Sequence, residues 1–126
     1  SVTGIGDCAF SSCSSLKELT LPEKIISIGI NACSGCTNLE NIFLPPSITT
    51  IENGAFSRNT TIECDQYSVA ETYAKTNGFN YVSYISRGNY NDNASWKLKT
   101  DGFLTIDGSG AISYQDTQKE SRRLQQ

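Results

Sequence analysis

The chain has 126 residues, of which 37% are hydrophobic and 18% are charged, and its formal net charge is −3. This composition suits one modest globular unit with an appendage, and it argues against a nucleic-acid partner because phosphate backbones are bound by basic surfaces. No apolar run is long enough to span a membrane, no signal-peptide pattern is present, and the absence of histidine excludes Ser-His-Asp and Cys-His catalysis.

A repeated pattern organises the first half of the chain. It opens at Ile5, Ile28 and Ile51, so successive copies start 23 residues apart. The first copy reads Ile-Gly-x-x-Ala-Phe-x-x-Cys-x-x-Leu-x-x-Leu-x-Leu-Pro. A fixed period of this size predicts a solenoid, in which each coil buries its apolar stripe against the next. The residues before Ile5 also align with those before the later starts, so we expect the chain to begin inside a repeat and to be a piece of a longer or processed protein.

Two short extended pieces are predicted in each coil. The runs Leu19–Leu21 and Ile42–Leu44 alternate between inward and outward positions, and a proline follows each of them. Because proline cannot donate to a sheet ladder, it ends the strand. The second piece precedes the Ile-Gly start, at Lys24–Ile28 and Ser47–Ile51. Stacked once per coil, these pieces predict parallel sheets.

The segment between the strands is predicted to be a helical turn. Ala9, Phe10 and Cys13 stand at helical spacing, so their side chains fall on one apolar side. We expect this side to fill the interior of the coil.

The third copy departs from the pattern. Glu52 replaces the glycine and Asn59 replaces the cysteine, while Ile62 takes the position of Leu39 by offset. Atypical terminal copies are what the end of a solenoid requires.

A capping helix is predicted at about residues 69–77. Ser68 and Glu71 form a capping box, in which each side chain satisfies backbone donors of the first turn, and Gly78 supplies the helix stop. Residues 79–85 alternate as a strand. We therefore assign residues 1–85 to a solenoid with a C-terminal cap.

The remaining residues predict a linker, a small module and a tail. Residues 86–94 are polar and turn-rich, which is typical of a linker. Residues 95–114 form a small β-hairpin module with a further strand at Ala111–Tyr114. Residues 115–126 have no apolar pattern and are expected to be mobile.

The hairpin of this module has two candidate loops. A two-residue Asp-Gly loop would mix apolar and polar partners on one face of the hairpin. A three-residue loop at 100–102, with its glycine left-handed, pairs Leu98 with Leu104 and Trp96 with Ile106 and makes one apolar face. We predict the three-residue loop.

The repeat pattern resembles the BspA-type leucine-rich repeat. Thr61–Cys64 followed by Ser68–Lys75 and Asn77–Phe79 resembles the usual C-terminal end of such arrays. Ser95–Leu98 with Asp101–Ala111 resembles a short β-module that accompanies these repeats in secreted proteins of gut bacteria. Together the matches cover about nine-tenths of the chain.

The resemblance implies a leucine-rich-repeat solenoid at the cell surface or in the extracellular space. It implies adhesion to a host protein or another cell, with a protein or glycan held by the repeat sheet, and it implies no cofactor, no metal and no catalytic residue. A passive spacer or stalk that presents another domain is the alternative. A third hypothesis is a thiol oxidoreductase that uses Cys33 and Cys36.

These two cysteines form a Cys-x-x-Cys, a pattern found in redox dithiols and in half zinc sites. In the repeat frame, however, Cys36 aligns with Cys13 and Cys33 aligns with Phe10. We interpret them as small hydrophobic residues that face the coil interior, with Cys13 over Cys36. A disulfide or a redox or metal role remains an open alternative, although zinc would need further ligands.

Two other patterns carry no chemistry. Asp101 and Asp107 could be considered for acid–base catalysis, but both stand at hairpin ends, where turn formation is the simpler reason for them. Gly108–Gly110 is followed by neither the lysine nor the helix that a phosphate-binding loop needs.

The candidate binding residues are Lys17, Thr20, Glu40 and Phe43, which we expect to face away from the core on the repeat strands. A phenylalanine on the open face of a solenoid sheet could anchor a partner. The alternative is that Phe43 packs on its own neighbours.

Overall fold

The computed structural model describes residues 1–91 and 94–108, without the side chains of residues 90 and 91. The described part divides between two compact units, Ser1–Ser83 and Tyr84–Gln126. Its elements are β1 (Gly4–Ile5), β2 (Ser27–Ile28), β3 (Asn41–Leu44), β4 (Thr50–Ile51), β5 (Thr61–Asp65), α1 (Val69–Thr76), β6 (Tyr81–Asn91), β7 (Ala94–Lys99) and β8 (Leu104–Gly108).

The first sheet confirms the period of 23 residues. Strands β1, β2 and β4 lie side by side and parallel, and Ile5 pairs with Ile28, which pairs with Ile51. The first residues of successive copies therefore occupy equivalent places in successive coils. The predicted leucine-rich-repeat solenoid of stacked parallel strands is confirmed.

The second row of strands keeps a different register. Strand β3 pairs in parallel with β5, and Ile42 faces Ile62, a shift of 20 residues instead of 23. The equivalence of Ile62 with Leu39 expected from the sequence offset is therefore wrong. The third coil is three residues shorter, and Thr60 reaches the level of Leu39, whose carbonyl accepts from the Thr60 hydroxyl at 2.8 Å.

The first coil differs from the second on the same side. Its run Leu19–Leu21, predicted as a strand, joins no sheet, whereas the equivalent run of the second coil lies in β3. Strand β3 pairs with β5 and stands at the end of its sheet order.

The segment read from the sequence as a helical turn is a ladder of tight turns. Alternate backbone N–H groups point along the solenoid to the next coil, so that Cys8 donates to Ile30 at 2.8 Å and Phe10 to Ala32 at 2.7 Å. Cys8 and its equivalents Asn31 and Gly54 all have positive φ, which aims the following groups at the neighbouring coil. The N–H groups that would build a helix are thus used to join coils.

One apolar core runs through the coils, since Leu44, Cys36 and Ala32 are fully buried and Leu21 is 8% exposed. The expectation that Cys13 also faces inward is wrong, because Cys13 is exposed. In the described structure its coil packs against a neighbour on one side only, so an interior position of the repeat stays open there.

Helix α1 and the residues after it cap the third coil, as predicted. The Ser68 side chain accepts from the Glu71 N–H at 3.2 Å, and Glu71 in turn accepts from Tyr67, one residue earlier than a standard capping box. Gly78 ends the helix with a φ of 71°. Ala74 is fully buried, so the helix closes the core with its small apolar side.

The second unit contains the predicted hairpin. In the antiparallel pair of β7 and β8, Leu98 faces Leu104 and Trp96 faces Ile106, which confirms the three-residue loop. Gly102 has a φ of 93°. Residues 86–91, assigned to a linker from their composition, belong to β6, because pairing with β7 satisfies their backbone groups. The predicted strand Ala111–Tyr114 and most of the tail lie outside the described residues. No helix in the described ranges has the length and apolarity needed to cross a bilayer.

Candidate binding groove on the repeat strands

The outward positions of the repeat strands carry the sequence-predicted binding residues. Phe43 lies between the buried residues Ile42 and Leu44 on β3 and is itself half-buried. Lys17, Thr20 and Glu40 are exposed. The alternation of a strand with one buried face accounts for these directions.

These four residues line one groove, with a volume of about 680 Å³. The volume falls within the range of roughly 300–1,000 Å³ that ligand pockets occupy. One side is formed by residues 17–23 of the first coil, and the other by residues 38–43 of the second. The complete lining is Lys17, Glu18, Leu19, Thr20, Leu21, Glu23, Asn38, Glu40, Asn41, Ile42, Phe43 and Glu63.

The sequence prediction missed the acidic residues of this groove. Glu18 and Glu23 are exposed beside Lys17 in the first coil. Glu63 faces Phe43 across the β3–β5 pair. The alternation of Thr61–Cys64 would have placed Glu63 outward, but only the pairing of β3 with β5 shows that it lies at this groove.

The cysteine pair lies elsewhere, inside the coil. Cys33 and Cys36 are 2% and 0% exposed and are not joined by a disulfide. The Cys36 thiol donates to the Phe10 carbonyl of the preceding coil at 3.0 Å. Burial raises the pKa of Cys33 to about 12, and the neighbouring Cys36 adds to this effect. A redox nucleophile needs an accessible thiolate, which this environment disfavours.

The two hairpin carboxylates do not form an acid–base pair in β8 and its turn. The Asp101 carboxylate accepts from the Phe103 N–H at 3.1 Å, which is the local turn contact expected of it. Asp107 is exposed within β8.

A buried carboxylate does occur in the cap. Glu71 is 6% exposed. Burial by itself would raise its pKa, but hydrogen bonds from the Ser83 side chain and the Tyr67 N–H, together with the charge of Lys75, outweigh burial and lower the pKa. These contacts hold the start of α1 against the strands, so Glu71 serves the cap. Across the described ranges, no cluster of three or more acidic or cysteine side chains is suited to hold a metal ion.

A solenoid of 23-residue coils with a groove along its strands defines a leucine-rich-repeat scaffold, a class that is typically non-enzymatic. The chain belongs to the BspA type leucine rich repeat region family, whose model matches residues 1–100 in six copies. Six full periods would exceed 100 residues, so the matched copies do not each correspond to one coil. Repeats of this family are commonly surface or adhesion modules, and leucine-rich-repeat domains typically bind proteins. No curated protein and no solved structure matches the chain.

Proposed function

We propose that this chain is a non-enzymatic binding module of a cell-surface or secreted protein, which holds a partner protein or glycan in the groove of its repeat strands. The observation that carries the proposal is the groove itself. Lys17, Thr20, Glu40 and Phe43 come from two coils, and all four line the same cavity. Membership of a family of surface and adhesion repeats supports the location and the adhesive role.

The anchor of this site is Phe43. A half-buried ring offers apolar contact area to a partner while its other side is held by the strand, which is the setting in which aromatic residues dominate binding energy. The groove around it supplies charged and hydrogen-bonding side chains for specificity. We assign the binding role to the solenoid unit, residues 1–85, and not to the hairpin module.

The test is binding of the full chain to panels of purified extracellular-matrix proteins and surface glycans. We expect Phe43→Ala to weaken the captured partner by about tenfold or more. Phe103→Ala removes an exposed ring from the hairpin turn and is the matched control, expected to bind normally. Because Phe43→Ala could disturb folding, Thr20→Tyr provides a second variant that fills the groove from an exposed position.

Normal binding by both groove variants would show that the partner sits elsewhere. Failure of the chain to bind any panel member would instead favour a passive spacer that presents another domain. Melting curves for each variant separate lost binding from lost folding.

A further inference from the structure

We infer that the partner segment in this groove is a cationic, extended polypeptide, rich in lysine or arginine. This inference rests on the proposed function and adds the chemistry of the partner. It follows from the charge of the groove, from the spacing of that charge and from the apolar surface between the charges.

The groove concentrates the net charge of the whole chain. Its lining holds four glutamates and one lysine, a net charge of −3, and the full sequence also has a net charge of −3. The other 114 residues therefore carry equal numbers of acidic and basic side chains. Because a concave surface focuses the field of its charges, this groove is the place to which a positively charged partner is steered.

The exposed carboxylates of the groove are not neutralised by ion pairs. In the described part of the chain, Glu18, Glu23 and Glu40 take part in no salt bridge, and the ion pairs that are present lie in the cap and the hairpin turn. Lys17 is the only base of the lining. These three carboxylates are therefore available to a ligand.

The carboxylates are spread along the groove instead of converging on a point. No three acidic side chains of the described residues come close enough to hold a metal ion. Glu18 and Glu23 belong to the first coil and Glu40 to the second, so they stand on opposite sides. A single small cation cannot satisfy charges arranged in this way, whereas a chain with several separated positive side chains can.

The surface between these charges suits the stems of basic side chains. Phe43 and Leu19, both half-buried, lie in the lining between the glutamates. Lysine and arginine lay their aliphatic stems on apolar surface while the charged heads remain in water. An arginine over the ring of Phe43 would also gain a cation–π contact.

The experiment titrates the full chain into fluorescently labelled oligolysine, oligoarginine and oligoglutamate peptides and follows anisotropy at two salt concentrations. We expect the two basic peptides to bind, with affinity falling as salt rises, and the acidic peptide not to bind. The double variant Glu18→Gln with Glu40→Gln should weaken binding by about threefold or more. Both positions are exposed, so the fold should tolerate the change.

The matched control is Glu52→Gln with Asp107→Asn, which changes the net charge equally at exposed positions outside the groove. Equal weakening by the two double variants would show attraction to the overall charge and would overturn the inference. Absence of peptide binding would overturn it as well. If a panel partner is still lost with Phe43→Ala in that case, the proposed function stands and the partner has another chemistry; if that partner is unaffected, the proposed function fails too.

Discussion

Gly29 lies so close to Asp7 of the preceding coil that a β-carbon on Gly29 would stand 2.7 Å from the Asp7 backbone nitrogen and 2.8 Å from the carbonyl carbon of Gly6. Gly6 holds the same position of the first repeat, yet a β-carbon there would meet nothing within 4 Å. The two glycines are equivalent in sequence and differ in surroundings, because only Gly29 has a coil packed on that side.

This contrast predicts different effects for the same substitution. Gly29→Ala should lower the free energy of unfolding by about 1–3 kcal/mol, the usual cost of overpacking, because backbone atoms cannot move aside as a side-chain end can. Gly6→Ala should leave stability almost unchanged. Urea unfolding followed by circular dichroism measures both, and equal effects would contradict the close approach of the coils.

The cap should make stability depend on pH through Glu71. Since its pKa is lowered in the folded protein, the unfolded chain binds more protons as the solution is acidified, so this stabilisation is complete above the ordinary pKa of a glutamate and is lost as the pH falls through the lowered value. Glu71→Gln should lower stability at neutral pH and flatten the acid side of the stability profile. Glu52→Gln, at an exposed position, is the control and should keep the profile of the original chain.

Ser68 tests the same cap without a charge. Its side chain accepts from the Glu71 N–H at 3.2 Å, so Ser68→Ala should cost about 1 kcal/mol of stability at every pH. Ser68→Asp keeps an oxygen acceptor at the start of α1 and should restore most of this loss. A Ser68→Ala variant as stable as the original would show that the cap contact does not contribute.

Thiol labelling should divide the five cysteines into two groups. Cys8 and Cys13 are exposed and should react in the folded protein, whereas Cys33, Cys36 and Cys64 are buried and should react only after unfolding. Burial also raises the pKa of Cys33 and of Cys64 to about 12, which removes the reactive thiolate near neutral pH. Mass spectrometry after alkylation, with and without denaturant, counts the modified residues. Rapid labelling of Cys33 and Cys36 in the folded chain would revive the oxidoreductase hypothesis.

The hairpin turn should depend on the backbone of Gly102. With a φ of 93° and open space around it, Gly102→Ala adds no clash but forces an L-residue into a disfavoured conformation, at a cost of about 1–2 kcal/mol. Gly102→Asn should cost less, because asparagine tolerates positive φ better. Trp96 is the sole tryptophan and is 1% exposed, so its fluorescence during urea unfolding reports the midpoint for this unit. An unchanged midpoint for Gly102→Ala would contradict the turn geometry.

The candidate groove was predictable only in part. Lys17, Thr20, Glu40 and Phe43 could be placed outward because strand alternation is a local property that the order of residues reveals. Their meeting in one groove depends on two coils standing side by side. The acidic character of that groove depends on the same packing, since Glu63 reaches it from a strand about 20 residues further along the chain.

The amino-acid sequence by itself determined the period, the cap and the hairpin register. Ile5, Ile28 and Ile51 recur at a constant spacing, Ser68 and Glu71 meet within one helical turn, and Gly102 selects its loop, so each signal is carried by a short stretch of chain. These features follow from local conformational preferences and periodic burial.

The tertiary structure alone decided what lies above and below each coil. It paired Ile62 with Ile42 through a shortened third coil, and it left Cys13 exposed while burying Cys36. Residues that are equivalent in a repeat differ in burial and crowding when one coil has neighbours on both sides and another has a neighbour on one side only. Because burial is a property of stacked coils, the pattern within a single copy could not reveal it.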